Sequence, residues 1–215
     1  MLNRRSHFYA ICTIVLWASA YVFTKVALNY YTVFSLGFLR YFVAAIVLII
    51  AASIQKIGLP DLKDIPKFIL SGLLGFTLYM ITFNIGSKTL SSTTSSIIIS
   101  TVPIITALIA TVSLKERLKA LSWIAILIEF SGILVLTLWN GIFSINTGVL
   151  WMLAAALLLS GYNITQRQYT KKYTAFQSTT YSIIAGAVFL SIFSPEAISQ
   201  IIQAPLDQVL VVIYL

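Results

Sequence analysis

Runs of about twenty apolar residues, separated by short polar segments, recur along the chain. They fall at Phe8–Val26, Val33–Ser53, Phe68–Ser87, Ser92–Leu114, Leu121–Trp139, Thr147–Gln166 and Thr174–Phe193. Each is long enough to cross the roughly 30 Å hydrocarbon core of a bilayer as an α-helix. An eighth run opens near Leu206 and has reached about half that length at Leu215. The pattern predicts an all-α polytopic membrane protein with seven complete transmembrane helices and the start of an eighth. Arg4 and Arg5 precede the first run as they would in a signal peptide. That run is longer than a typical signal core, it holds Trp17, Tyr21 and Lys25, and more spans follow, so it reads as a first span.

Composition sharpens this reading. Of 215 residues, 59% are hydrophobic and 9% charged, against about 25% charged in soluble domains. The mean hydropathy is +0.96. One cysteine (Cys12) and one histidine (His7) exclude a disulfide framework and leave no ligand set for a metal. No cofactor motif is present, and the inventory is too poor in His, Asp and Cys for a membrane enzyme. The net charge of +8 would suggest nucleic acid if the basic residues formed one patch, but they do not.

The basic residues orient the chain instead. With the N-terminus cytoplasmic, the inner segments hold Arg4, Arg5, Lys56, Lys63, Lys67, Lys115, Arg117, Lys119, Arg167, Lys171 and Lys172. Only Lys25, Arg40 and Lys88 of the 14 basic residues then fall toward the outside. This distribution follows the positive-inside rule. It places the N-terminus in the cytoplasm, with the protein in the plasma (inner) membrane. The bilayer and a small-molecule substrate are the expected partners, nucleic acid is not, and a homodimer is a candidate assembly.

An internal repeat is detectable. Leu16–Phe34 lies on Leu157–Phe176 so that Ser19 meets Ser160, Tyr21 meets Tyr162 and Thr24 meets Thr165. After a one-residue gap, Thr32-Val33-Phe34 meets Thr174-Ala175-Phe176. The period contains five spans, so a second copy would be inverted relative to the first, as in many secondary transporters. The repeat predicts a first five-helix unit over 1–140 and an incomplete second unit over 147–215. Two complete units would make ten spans, so the pattern predicts that these residues are part of a longer parent protein.

Several local motifs, taken in order, resemble the EamA-type ten-helix permeases of the drug/metabolite transporter superfamily. The first span reads Leu16-Trp17-Ala18-Ser19 with Lys25 at its outer end, and the second sets Arg40 between Leu39 and Tyr41. The fourth has the hydroxyl-rich Ser91–Ser96, then Val102-Pro103, and closes Leu114-Lys115-Glu116-Arg117-Leu118. The fifth carries Gly132 within Ser131–Leu136, and the sixth opens at Gly148 and runs to Tyr162 and Arg167. Three departures stand out: the eighth span is incomplete, the ninth and tenth are absent, and Glu129 occupies a position that is usually apolar. The resemblance implies a permease or exporter with a central cavity between its halves, moving small metabolites such as amino acids.

Polar groups inside a bilayer are expensive and mark candidate sites. Trp17, Tyr21 and Thr24 share one face of the first span with Thr13 and Ala20, a stripe suited to a wetted cavity wall or, on the plainer reading, to helix packing. Arg40 lies two turns into the second span, where a guanidinium offers a bidentate fork to a carboxylate. Lys25, nearer its helix end, suits snorkelling to the headgroups. Tyr79 and Asn163 complete the expected cavity lining. Glu129 is a carboxylate near mid-span, a candidate for proton coupling or for a structural or intersubunit hydrogen bond. Pro103 breaks the fourth span and is a candidate gating kink. Gly72, Gly75 and Gly86 form a small-residue stripe suited to close helix packing.

The leading expectation is a secondary transporter working by alternating access, with amino acids or related compounds as cargo. Nucleotide-sugar-, purine- or drug-like cargo is the alternative within transport. A seven-span receptor or structural membrane protein is the alternative outside it. A retinal protein is excluded by the lack of a lysine in Thr174–Phe193.

Overall fold

The computed structural model describes residues 4–115, 118, 120–139 and 147–215. It is all-helical among the described residues. Six helical stretches there are long and apolar enough to cross a membrane: His7–Ala27, Val33–Ile54, Leu62–Thr89, Ser92–Ser113, Thr147–Tyr169 and Ala175–Gln203. The helix Ala120–Trp139 occupies the place of the expected fifth span, and Leu206–Tyr214 that of the eighth. The protein is a multi-pass membrane protein.

Hydroxyl side chains start three of these spans. Thr32 accepts from the backbone amide of Ser35, Ser91 from that of Thr94, and Thr174 forms a reciprocal capping box with Gln177. Each satisfies amide groups that a helix leaves unpaired at its first turn. Thr32 and Thr174, matched in the sequence alignment above, both stand at helix N-caps.

Three spans depart from regular α-helix. The third runs through a 3-10 turn (Leu62–Asp64), an α-helix (Ile65–Gly72), a π-helical segment (Leu73–Leu78) and a second α-helix (Tyr79–Thr89). Thr77 at the π segment donates to the carbonyls of Gly72 and Gly186, at 3.4 and 3.1 Å. A carbonyl displaced from the regular ladder thereby gains a donor. The fourth span is divided into Ser92–Ile99 and Val102–Ser113, with Pro103 in the first turn of the second piece. There its missing N–H costs no ladder bond. The seventh span continues beyond the expected Phe193, through a 3-10 turn at Ser191–Phe193 into Ser194–Gln203.

Glycine sets how closely the third span approaches its neighbours. A Cβ on Gly72 would stand 2.7 Å from the backbone nitrogen of Gly186 and from the carbonyl oxygen of Ser182 in the seventh span. On Gly75 it would overlap the ring of Tyr162 in the sixth. On Gly86 it would meet Met152 and the Gly148 carbonyl at 3.0–3.1 Å. Lipid offers no hydrophobic drive for helices to associate, so close backbone approach takes its place.

On the side where the N-terminus begins, a polar and aromatic cluster ties the segment before the third span to the turn after the sixth. Lys172 donates to both Asp61 and Asp64 at 2.5 Å, Lys67 to Asp64 at 2.6 Å, and the Tyr173 hydroxyl to Asp64 at 2.8 Å. Phe68 is ringed by Tyr169, Tyr173 and Tyr181 in edge-to-face geometry. The hydrogen bonds from Lys172, Lys67 and Tyr173 hold the Asp64 carboxyl well below the usual carboxylate range. Those from Lys172 to Asp61 and Asp64 raise the lysine above its usual value.

Two outcomes are expected. Gly72→Leu forces backbones apart and lowers stability by about 1–3 kcal/mol, read as a lower unfolding temperature in detergent. Gly58→Ala, with nothing within 4 Å of the new Cβ, leaves that temperature unchanged. Because Asp64 is depressed in the folded protein, its contribution is present above the unfolded carboxylate value of about 4 and is lost as pH falls below it. Asp64→Asn therefore lowers stability at pH 7 and flattens the acid limb of a plot of unfolding temperature against pH.

Candidate functional site

The first, second, third, sixth and seventh spans and the C-terminal helix enclose a cavity of about 550 Å³. Trp17, Ala20, Tyr21 and Thr24 reach it from the first span, Arg40 and Tyr41 from the second. Phe76, Tyr79, Met80 and Phe83 come from the third, Tyr162 and Thr179 from the sixth and seventh. The π-helical segment Leu73–Leu78 forms part of this wall and ends immediately before Tyr79. Gly75 allows the Tyr162 ring to lie against the third helix, where it meets Phe76 with ring centroids 5.0 Å apart. Tyr41 packs on the same Phe76 at 5.2 Å, and Tyr79 and Tyr21 both pack on Phe83, at 5.6 and 5.7 Å. The walls are therefore aromatic faces with hydroxyl tips.

Among the described residues Arg40 is the only cation on this wall. One of its terminal nitrogens donates to the Thr24 hydroxyl at 3.2 Å and lies 3.6 Å from the Met80 sulfur. Its Nε is buried without a hydrogen-bond partner. Among the described residues it has no carboxylate partner, and no acidic side chain lines the cavity. A guanidinium two turns inside a membrane span is costly to hold without a partner. The arrangement can receive an anionic oxygen group at Arg40 and an apolar or cationic group against the aromatic faces.

Of the residues expected to line a cavity, Trp17, Tyr21, Thr24, Arg40 and Tyr79 lie on this one. Asn163 lies instead on an adjoining cavity of about 810 Å³ between the first, fourth and sixth spans, as does Pro103. Trp17, Tyr21, Leu159 and Tyr162 border both spaces. Asn163 donates to Thr106 across the sixth and fourth spans at 3.5 Å. Thr13, on the same face of the first span in sequence, bonds to its own helix at Tyr9 and lines neither cavity. The side chain of Glu129 lies outside the described residues.

Lys25 does not snorkel to the headgroups. Its Nζ donates to the carbonyls of Ser87, Lys88 and Leu90 at 2.8–2.9 Å and closes the C-terminal end of the third helix, where carbonyls lack intrahelical donors and the helix dipole favours a cation. Tyr41, Phe76, Met80 and Thr179 went unnoticed as lining residues. Tyr41 was findable, one residue beyond Arg40; Thr179 depends on how the seventh span crosses the third.

Comparison with known proteins places the chain. The EamA-like transporter family model matches residues 4–138. An uncharacterized transporter of Bacillus subtilis, YdfC, is 34% identical over 201 residues, covering 93% of this chain and 66% of that protein. A protein of Streptantibioticus cattleyicolor named a "probable terminal-alkyne amino-acid exporter" is 29% identical over 205 residues, covering 95% of this chain and 69% of its own length. An S-adenosylmethionine uptake transporter of Rickettsia bellii is 29% identical over 157 residues, 72% of this chain and 53% of that protein. The chain thus spans about two thirds of the length of the first curated relatives it matches, 66% and 69%. No solved structure matches it significantly. With the family pattern running over residues 4–138 of 215, the chain belongs to the EamA-like transporter family.

Proposed function

We propose that the protein is a secondary transporter of small metabolites, with amino acids or related carboxylate-bearing compounds as its cargo, working by alternating access. The observation that carries this reading is the guanidinium of Arg40, set on a cavity wall between membrane helices with no carboxylate partner among the described residues. A carboxylate arriving with the solute would complete the ion pair that the chain leaves open and offset the cost of holding the cation there. The aromatic faces of Tyr21, Tyr79 and Phe83 then lie where an ammonium or apolar substituent of the solute would rest. Two relatives have printed names that fit cargo of this kind, an amino-acid exporter and an S-adenosylmethionine carrier. We read the N-terminus as cytoplasmic, a reading supported by the distribution of the basic segments. The broken fourth span, with Pro103 after the interruption at Ser100 and Thr101, is the piece assigned to bend as access alternates.

The test is counterflow of a pooled set of labelled amino acids into proteoliposomes holding the complete parent protein, with insertion and orientation checked for every variant. Arg40→Ala is expected to raise the KM of transported solutes by about 10- to 100-fold, the range for losing a hydrogen bond to a charged group. Arg40→Lys recovers part of that loss, because it restores the charge without the fork. Normal transport by Arg40→Ala would remove Arg40 from the site.

A further inference from the structure

We infer that the cavity has a second recognition pole, formed by the hydroxyl of Tyr162 and held in place by Gln166 and Thr179, which takes a hydrogen-bond acceptor on the part of the solute remote from its carboxylate. The inference rests on the reading of Arg40 as the carboxylate site and adds a requirement on the rest of the molecule that binds there.

The two poles lie at different depths. Thr24 and Arg40 are near the end of the first span and the start of the second, on the side away from the N-terminus. Tyr162 and Gln166 are in the last two turns of the sixth span, and Thr179 is in the second turn of the seventh, toward the N-terminal side. Tyr41, Phe76 and Tyr162 form a continuous aromatic wall between them, with centroids 5.2 and 5.0 Å apart.

Gln166 fixes the chemistry of the second pole. Its amide nitrogen donates to the Tyr162 oxygen at 2.6 Å and to the Thr179 oxygen at 3.2 Å. Its amide oxygen accepts from the Ser178 hydroxyl, which sets which end of the amide faces the pair. One lone pair on each hydroxyl is therefore occupied from behind. The Thr179 hydroxyl in turn bonds to the Tyr162 oxygen, so that oxygen accepts from both neighbours and its own proton is left for the cavity that both residues line. A hydroxyl with an occupied lone pair and a free proton is a directed donor. The Tyr21, Tyr41 and Tyr79 hydroxyls line the same space without a recorded protein partner and can turn either way. Tyr162 and Thr179 cannot turn without giving up Gln166. A solute whose far end carries an amide or hydroxyl oxygen satisfies the Tyr162 proton, whereas an apolar end leaves it unpaired.

The probes are labelled L-glutamine and L-norleucine, which share the α-carboxylate and ammonium and have similar reach but differ in the terminal acceptor. Counterflow in proteoliposomes of the complete protein is expected to give glutamine a KM about tenfold below that of norleucine, the scale of a directed neutral hydrogen bond. Tyr162→Phe removes the donor, Thr179→Val removes one of the two groups that aim it, and Gln166→Glu turns the amide donor into an acceptor that draws the Tyr162 proton away from the cavity. Each should bring the norleucine-to-glutamine KM ratio toward one. A merely structural loss would shift both KM values or both rates together and leave the ratio in place. An unchanged ratio in all three variants, or no glutamine preference in the wild type, overturns the second pole. If Arg40→Ala still impairs both solutes in that case, the carboxylate reading survives without it. A wild type that transports neither probe overturns both.

Discussion

Close approach of the third span to the sixth and seventh is the constraint on which the rest of the molecule depends. Hydrocarbon gives packed helices no advantage over solvated ones, so contact must come from shape. Gly72 and Gly186 let two backbones meet where any Cβ would collide, and Gly75 opens a seat for the Tyr162 ring. That contact aligns the cavity wall. With the Tyr162 ring seated against the third helix, Phe76 stands between it and Tyr41, and Tyr79 and Met80 follow one turn later on the same side. The π-helical segment begins right after Gly72 and contains Gly75, and Thr77 within it donates to the Gly186 carbonyl of the seventh span. Packing and cavity share the same few residues.

Most polar groups in the spans are satisfied locally, which makes the exceptions informative. Ser19, Ser53, Thr82, Ser160 and Ser182 each donate to a carbonyl four residues earlier on their own helix, the cheapest partner inside a bilayer. Asn84 reaches further, donating to the Val33 carbonyl at the start of the second span. Lys25 spends its three protons on the end of the third helix. Against that background, a buried guanidinium nitrogen without a partner and a set of unpaired cavity hydroxyls are costs that packing does not explain.

How much of this was legible in the sequence follows from what each feature depends on. Helix positions rest on hydrophobic length, a property of the chain alone, and most spans fall within a few residues of where the apolar runs place them, the seventh running on beyond Phe193 to Gln203. The cavity face of the first span was readable for the same reason, since Trp17, Tyr21 and Thr24 share it by helical spacing. Thr13 shares that spacing and lies off the cavity, because spacing fixes a face but not how far along the helix a cavity extends. Lys25 and Arg40 looked alike, two cations near helix ends. Their fates differ because the end of the third helix happens to stand beside Lys25, and no local pattern encodes that neighbour. The π-helical segment left no signal either: it answers to Gly186 and Ser182, over a hundred positions away.

Lys25 and Gln166 bring these strands together. The offset that pairs Ser19 with Ser160, Tyr21 with Tyr162 and Thr24 with Thr165 also pairs Lys25 with Gln166. Both are long donors one turn beyond a cavity-lining tyrosine, and both tie the first helix of their unit to another span. Lys25 gives its protons to backbone carbonyls, so its charge is absorbed by a helix end and the cavity does not feel it. Gln166 is neutral, cannot neutralise a helix dipole, and gives its protons to the two hydroxyls on the cavity wall. A lysine there would sit beside the same hydroxyls with a charge that no described neighbour absorbs. With an amide in that place, Arg40 is the only charged side chain on the cavity wall among the described residues, at one end, with a directed neutral donor at the other. An asymmetric solute can be held in one orientation by such a pair of poles.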